Sequence, residues 1–183
     1  MLDVAAAMFA RDGYHGTSMR GLGERAGVNA ASLYHYFRSK QEALFEVCRA
    51  GAGQSARRIE QAMAEHGSMQ ARLGAILFGH VGDLAAFSDY RHVFFDQRGH
   101  LSAGQLAEID EISAGVRKML RTLFEEARAA GELHPDVAAR NAALTIAATL
   151  RALTQFYVDG PPRDFEGVAR ALIGTVMRGL AAA

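Results

Sequence analysis

Residues 17–44 read TSMRGLGERAGVNAASLYHYFRSKQEAL, and this stretch decides the architecture. Thr17-Ser18 opens a short helix, with Ser18 as the N-cap, its hydroxyl placed to accept from a backbone N–H of the first turn. Ala26-Gly27-Val28 predicts a tight turn, Gly27 supplying the left-handed backbone. Asn29 predicts a second cap, for a helix from Ala30 to about Phe37. Ser39 and Glu42, three residues apart, form a capping box that opens a further helix. Short helix, glycine turn, short helix is the spacing of a helix-turn-helix unit. In such a unit the first helix crosses the phosphate backbone, and the N-terminal residues of the second meet base edges in the major groove. Leu22, Leu33 and Phe37 are the expected joint core, with Ala26 and Val28 beneath the turn.

Working outward, residues 1–12 place Leu2, Ala5, Ala6, Phe9 and Ala10 on one helical face, and Asp12-Gly13 should end that helix. Downstream, helices are expected near 39–65, 68–88, 90–98, 103–130, 136–158 and 165–181. His66-Gly67-Ser68, Gly99-His100, Gly131, Pro135 and Gly160-Pro161-Pro162 separate them. Leu106, Ile109, Ile112, Val116, Met119, Leu120 and Leu123 form one apolar stripe. The 136–158 segment is apolar on nearly every face, which predicts a helix buried all round or shared with a partner chain. Thirty-five alanines against three prolines favour helix throughout, and no segment alternates like a strand. The expected fold is all-α.

Composition excludes several classes. The 183-residue chain has a formal net charge of zero, so no strong global field acts on a partner. Its one cysteine, Cys48, forms no internal disulfide, which fits a reducing, cytoplasmic compartment. The longest uninterrupted apolar run, Val4 to Ala10, falls far short of the ~20 residues of a spanning helix, so no membrane partner is expected. Asp3 and Arg11 flank that run in the wrong sense for a secretion signal. The chain has no HExxH, no phosphate loop and no GxSxG. Gly21-Leu22-Gly23 with Ala26 mimics a dinucleotide fingerprint, but no strand precedes it. His80 and Asp83 lie three apart without an evident third metal ligand. An enzyme, a cofactor and a metal site are therefore not expected.

Residues 2–45 resemble the DNA-binding domain of TetR-type transcriptional regulators. The resemblance rests on Phe9…Gly13-Tyr14, Gly16-Thr17-Ser18, Arg25-Ala26-Gly27-Val28, Leu33-Tyr34 and Phe37-Arg38-Ser39-Lys40, all at that family's spacing. It implies a helix-turn-helix domain over 1–46 and a helical ligand-binding and dimerisation domain over 47–183. It also implies roles. Asn29 to Tyr36 would be the recognition helix, with Ala30 and Ala31 at base edges and Ser32 and His35 offering polar contacts. Tyr34 and Tyr36 would reach the backbone through their hydroxyls. Thr17, Ser18 and Arg20 would touch phosphate from the preceding helix, and Lys40 would hold another. Local charge agrees: from Tyr14 to Gln41, Arg20, Arg25, Arg38 and Lys40 face one acid, Glu24. One departure is Gly21, which stands where the family often carries an acidic residue that completes the cap.

For the second part the resemblance implies a small-molecule sensor. A plausible lining is Phe78, His80, Val81 and Leu84, then Phe94, Phe95 and Arg98, then Ile112, Val116 and Met119. His80 and Arg98 are its polar members, suited to a carboxylate, phosphate or carbonyl in an apolar pocket. The segment Tyr90–Leu101 and the helix after it resemble regulators that respond to acyl-CoA or other lipid-derived thioesters. Gly51 and Gly53 read either as tolerated residues or as a hinge. The last two helices, through Leu144, Ala147, Ala148, Leu150, Leu153, Phe156, Tyr157 and the 165–181 stripe, are expected to form a two-fold homodimer. The expected function is a repressor that a small apolar or acyl-type effector releases from a palindromic operator. The alternative is a helical small-molecule-binding or interaction protein that has lost DNA binding.

Overall fold

A computed structural model describes residues 1–160 and 163–182 of the chain. Among these residues it has eight helices: α1 (Leu2–Gly16), α2 (Met19–Ala26), α3 (Ala30–Tyr36), α4 (Lys40–Ala64), α5 (Met69–Asp96), α6 (Ala103–Ala129), α7 (Ala139–Val158) and α8 (Phe165–Leu180). A single 3-10 turn, Arg98–His100, lies between α5 and α6. The fold is all-α; the one β-type pairing among the described residues is an isolated bridge between Leu133 and Ala181. The breaker expected at Pro161-Pro162 lies outside the described residues.

The helix starts follow their capping chemistry. Ser18 Oγ accepts from the Gly21 N–H at 3.0 Å, and Asn29 Oδ1 accepts from the Ser32 N–H at 2.9 Å. Ser39 Oγ accepts from the Glu42 N–H at 3.1 Å, while the Glu42 carboxylate accepts from the Arg38 N–H at 2.6 Å, one residue before the expected partner of a capping box. Gly27 closes α2 in the left-handed region, at φ +67°. The first run of α1 breaks at Gly13 as expected, with φ +70° outside the helical region, and a further turn carries on to Gly16. One expectation needs correction. The helices expected at 68–88 and 90–98 are one, α5. Ser88-Asp89 removes no backbone donor and forces no left-handed residue, so the hydrogen-bond ladder runs through it.

By packing, the chain divides into two compact units: Met1–Gln54 with Phe87–Ile112, and Ser55–Ala86 with Ser113–Ala183. α4, α5 and α6 each lend residues to both units. In the first unit, Phe9, Leu22, Leu33, Leu44, Val93 and Ile109 are core residues from six different helices. Gly51 has a packing reason here: a Cβ at that position would lie 2.8 Å from the Tyr90 carbonyl oxygen, so α4 and α5 meet backbone against backbone. Tyr90 is buried and donates its hydroxyl hydrogen to Asp3 at 2.6 Å.

In the second unit, Leu73, Ile76, Leu120, Phe124, Ile146 and Ile173 form the core. Arg58 of α4 pairs with Asp83 of α5, and the Glu132 carboxylate accepts from the Met69 N–H. The chain's end is tied down where His134 N–H donates to Leu180 O at 2.8 Å and Ala182 N–H to Glu132 O at 2.9 Å. Of the two alternatives expected for α7, burial all round within this chain is not met. Leu150 and Leu153 are buried in this chain's own core, whereas Leu144 and Phe156 are exposed at 51% and 55%, and Val168 of α8 at 47%.

Two measurements check this packing. No atom lies within 4 Å of a Cβ built at Gly27, so Gly27→Ala should destabilise through its backbone alone, by about 1 kcal/mol in urea denaturation. Burial pushes the Cys48 thiol up from its ordinary 9.0 to about 12, against the opposing charge of Arg98. Burial, with the bond to Asp3, also raises Tyr90 from its ordinary 10.0. Both groups fold in the protonated form, so their contribution is complete below pH 9 and is lost as pH rises above it. Native protein should resist thiol alkylation at pH 8, react fully once unfolded, and lose stability from pH 9 upward.

Candidate nucleic-acid interface

The α2–α3 pair is held from within by Leu22, Leu33 and Phe37, all buried, and the expected joint core is met. The helical period then turns the remaining α3 side chains outward. Ala30, Ala31, Ser32 and His35 are exposed, and so are Tyr34 at 51% and Tyr36 at 60%. Two exposed aromatic rings on a seven-residue helix are unusual for a surface with no task. A groove of about 330 Å³ runs beside them, lined by Met19, Val28, Ala30, Leu33 and Tyr34, with Arg20 and Glu24 at its rim. Arg25 and Arg38 are exposed, and no acid occurs from Asn29 to Gln41.

Three residues that the resemblance assigns to phosphate make bonds within the chain. Thr17 is buried, and its hydroxyl donates to Gly13 O at 2.9 Å. Arg20 pairs with Glu24 at 2.8 Å, four residues on along α2 and largely exposed, an arrangement that solvent screens strongly. Lys40 points back into the protein: its ammonium donates to Tyr14 O at 2.9 Å and Thr17 O at 3.0 Å, and lies 4.3 Å from the centre of the Tyr14 ring. The end of α1 leaves carbonyls without intrahelical donors, and a nearby cation both bonds them and meets the negative end of the helix dipole. Ser18 is exposed, but its oxygen already serves the α2 cap.

Around Lys40 the first unit has a clasp that the sequence did not announce. The Tyr14 N–H donates to Gln97 Oε1 at 2.9 Å, and the Tyr14 ring stacks on His100 at 4.8 Å. His15 meets the same His100 ring edge-on at 4.8 Å. Gln41 Nε2 donates to His100 O at 3.2 Å. The segment after α5 is thereby fastened to the junction of α1, α2 and α4. The signal was slight, a Tyr14-His15 pair beside a glycine and a lone His100 next to Gly99; nothing in their spacing relates residues over 80 positions apart.

The ten effector-pocket candidates divide between the two units. Phe94, Phe95, Arg98 and Ile112 belong to the first. There Phe95 stands edge-on to Phe94 at 4.9 Å, while the Arg98 guanidinium lies 5.2 Å from the Phe94 ring centre and pairs with Asp110. Phe78, His80, Val81, Leu84, Val116 and Met119 belong to the second. His80 and Leu84 are buried, and His80 Nε2 lies 3.0 Å from Thr154 Oγ1. Val81, Val116 and Met119 are half-buried against that unit's core. Phe78, by contrast, is exposed at 44% in the chain, on a helix face it shares with Ala75 and Gly82.

The Lys40 geometry has a measurable consequence. Lys40→Met keeps the aliphatic stem and removes both carbonyl bonds, so it should lower stability by about 2 kcal/mol in urea denaturation. An unchanged midpoint would show that the clasp carries no folding energy.

Comparison with known proteins agrees with this layout. Residues 1–47 match the model for bacterial regulatory proteins of the tetR family, and residues 66–180 match that for the tetracyclin repressor-like C-terminal domain. The HTH-type transcriptional repressor KstR2 of Rhodococcus jostii is 24% identical over 182 residues, covering 99% of this chain and 89% of that protein. The structure of the ketosteroid transcriptional regulator KstR2 of Mycobacterium tuberculosis superposes with a TM-score of 0.84 at 23% identity, covering 100% of this chain and 93% of that one. FadR of Bacillus subtilis, solved in complex with stearoyl-CoA, superposes with a TM-score of 0.79 at 22% identity, covering 97% and 96%. With one family model spanning its first helices and a second covering most of the remainder, the chain belongs to the tetR family of bacterial transcriptional regulators.

Proposed function

We propose that this chain is a ligand-responsive repressor that binds a palindromic operator as a homodimer and leaves it when a small apolar or acyl-type effector binds. The observation that carries the reading is the outer surface of α3. It presents exposed Ala30, Ala31, Ser32, Tyr34, His35 and Tyr36 in a stretch without acids, flanked by exposed Arg25 and Arg38. On this reading the first turn of α3, behind its Asn29 cap, meets base edges. Tyr34 and Tyr36, with Ser18 and Arg20 on α2, meet phosphates. Residues 1–46 act as the DNA-binding domain and 47–183 as the effector-binding and dimerisation domain.

The effector class follows from the relatives: FadR was solved with stearoyl-CoA, and KstR2 is described as a ketosteroid regulator. Both descriptions name molecules with a large apolar part, a hydrocarbon chain or a steroid skeleton, and the candidate lining residues are apolar apart from His80 and Arg98. Exposed Leu144, Phe156 and Val168 on α7 and α8 support the dimer, since water-facing side chains of that size on adjoining helices gain by covering one another. No helix among the described residues is long and apolar enough to cross a membrane, which is consistent with a cytoplasmic regulator. The effector acts by favouring a state whose two recognition helices no longer fit successive major grooves. The Tyr14–Lys40–Gln97–His100 clasp is the route by which movement of the segment after α5 reaches α2 and α3.

Fluorescence anisotropy with duplexes from the chromosomal region around its coding sequence tests the reading. Affinity for one duplex should fall about a thousandfold between 50 and 200 mM salt if six or more phosphates are held. Tyr34→Phe with Tyr36→Phe should reduce it about a hundredfold, the loss of two hydrogen bonds to charged groups. Stearoyl-CoA or a shorter acyl-CoA, but not free CoA, should raise the melting temperature and release the duplex. A folded protein with no salt-sensitive DNA affinity would leave the effector-binding or interaction module as the function.

A further inference from the structure

We propose that the recognition helix selects its half-site through the C5-methyl groups of thymine, met by the methyls of Ala30 and Ala31, and not through paired hydrogen bonds to guanine or adenine. The inference rests on the DNA-binding reading above and specifies what that surface recognises. The major groove is read with few chemistries. Guanine takes two donors from one Arg or Lys. Adenine takes a carboxamide that donates and accepts together. Thymine takes an apolar contact on its methyl.

α3 has none of the first two. From Ala30 to Tyr36 there is no Arg, Lys, Asn or Gln. The carboxamide just before it, Asn29, accepts from the Ser32 N–H at 2.9 Å, a cap bond that holds the side chain against the first turn of α3 instead of leaving it extended toward a base. Of the neighbouring cations, Lys40 is turned to the backbone of Tyr14 and Thr17 and Arg20 pairs with Glu24, while the exposed Arg25 and Arg38 lie outside α3, at the end of α2 and beyond Phe37. The first turn of α3 therefore offers solvent two methyls and the hydroxyl of Ser32, all exposed. The groove that Ala30 borders extends this apolar character through Met19, Val28 and Leu33. His35 could bond a base edge, but it lies in the last turn, with its ring against Tyr36 at a centroid distance of 6.2 Å. The end of a recognition helix that reaches the bases is the N-terminal one.

The test modifies the DNA, so it is independent of protein folding. Duplexes retained by the full chain are selected from a random pool, and each thymine is replaced in turn by deoxyuridine, which lacks only the methyl. One or two thymines in each half-site should lose about fourfold in affinity on replacement, the value of one buried methyl, and the rest should be unaffected. With Ala31→Gly, the deoxyuridine effect at one of those positions should disappear. Affinity indifferent to every replacement, but reduced by 7-deazaguanine, would overturn the proposal and assign readout to a guanine, with His35 as its partner. Retention of no duplex at all would overturn the DNA-binding reading, and this inference with it.

Discussion

A seven-residue helix does not persist in water on its own hydrogen bonds, because nucleation is costly and too few bonds follow it. α3 is such a helix, and it stands because Leu33 and Phe37 are buried and Asn29 caps its first turn. Its conformation is thus lent to it by α1, α2 and α4. The same dependence makes it a rigid reading surface: with its inner face held, its outer face keeps a fixed array of side chains. Gly27 completes the constraint, since only a residue at ease near φ +67° lets α2 stop and α3 start within so few residues.

The second organising element is the cation at the start of α4. Lys40 serves carbonyls at the end of α1 and lies over the Tyr14 ring, and that ring stacks on His100. One side chain thus joins three helix termini, and the Gln97 and Gln41 bonds fasten the segment after α5 to the same place. Groups at helix ends need partners whatever their function, so the arrangement first serves stability. It also ties residues 97–100 to the end of α1 and the start of α4.

The polar groups divide by purpose. Some ion pairs, such as Arg20–Glu24 and Arg121–Glu125, are exposed i,i+4 pairs that add little to stability. Polar side chains that are removed from water make specific bonds, as Thr17 does with Gly13 and His80 with Thr154. Apolar groups left in water are concentrated on α3, on α7 and on α8, with Phe78 on α5. α3 is the surface proposed to meet DNA, and α7 with α8 the one proposed to meet a second copy of the chain.

How much was legible in the sequence depended on the range of the interaction. Caps and turns are local, so Ser18, Asn29, Gly27 and Ser39 located α2, α3 and the start of α4 within a residue or so, and the spacing of Leu22, Leu33 and Phe37 revealed the core they share. Where no local marker existed, reading faltered: two helices were expected over 68–88 and 90–98, and α5 runs through both. Side-chain direction was less legible still. Thr17 and Lys40 are types that suit phosphate, and only the folded chain shows their donors turned to Gly13, Tyr14 and Thr17. Neither the clasp between residues 14 and 100 nor the split of α7 into a core face and an exposed face was legible, because both arise from contacts between segments distant along the chain. Local hydrogen bonding, by itself, determined the helix-turn-helix; the choice of inward or outward for each polar group was decided by tertiary packing, which alone determines which carbonyls are left needing a donor.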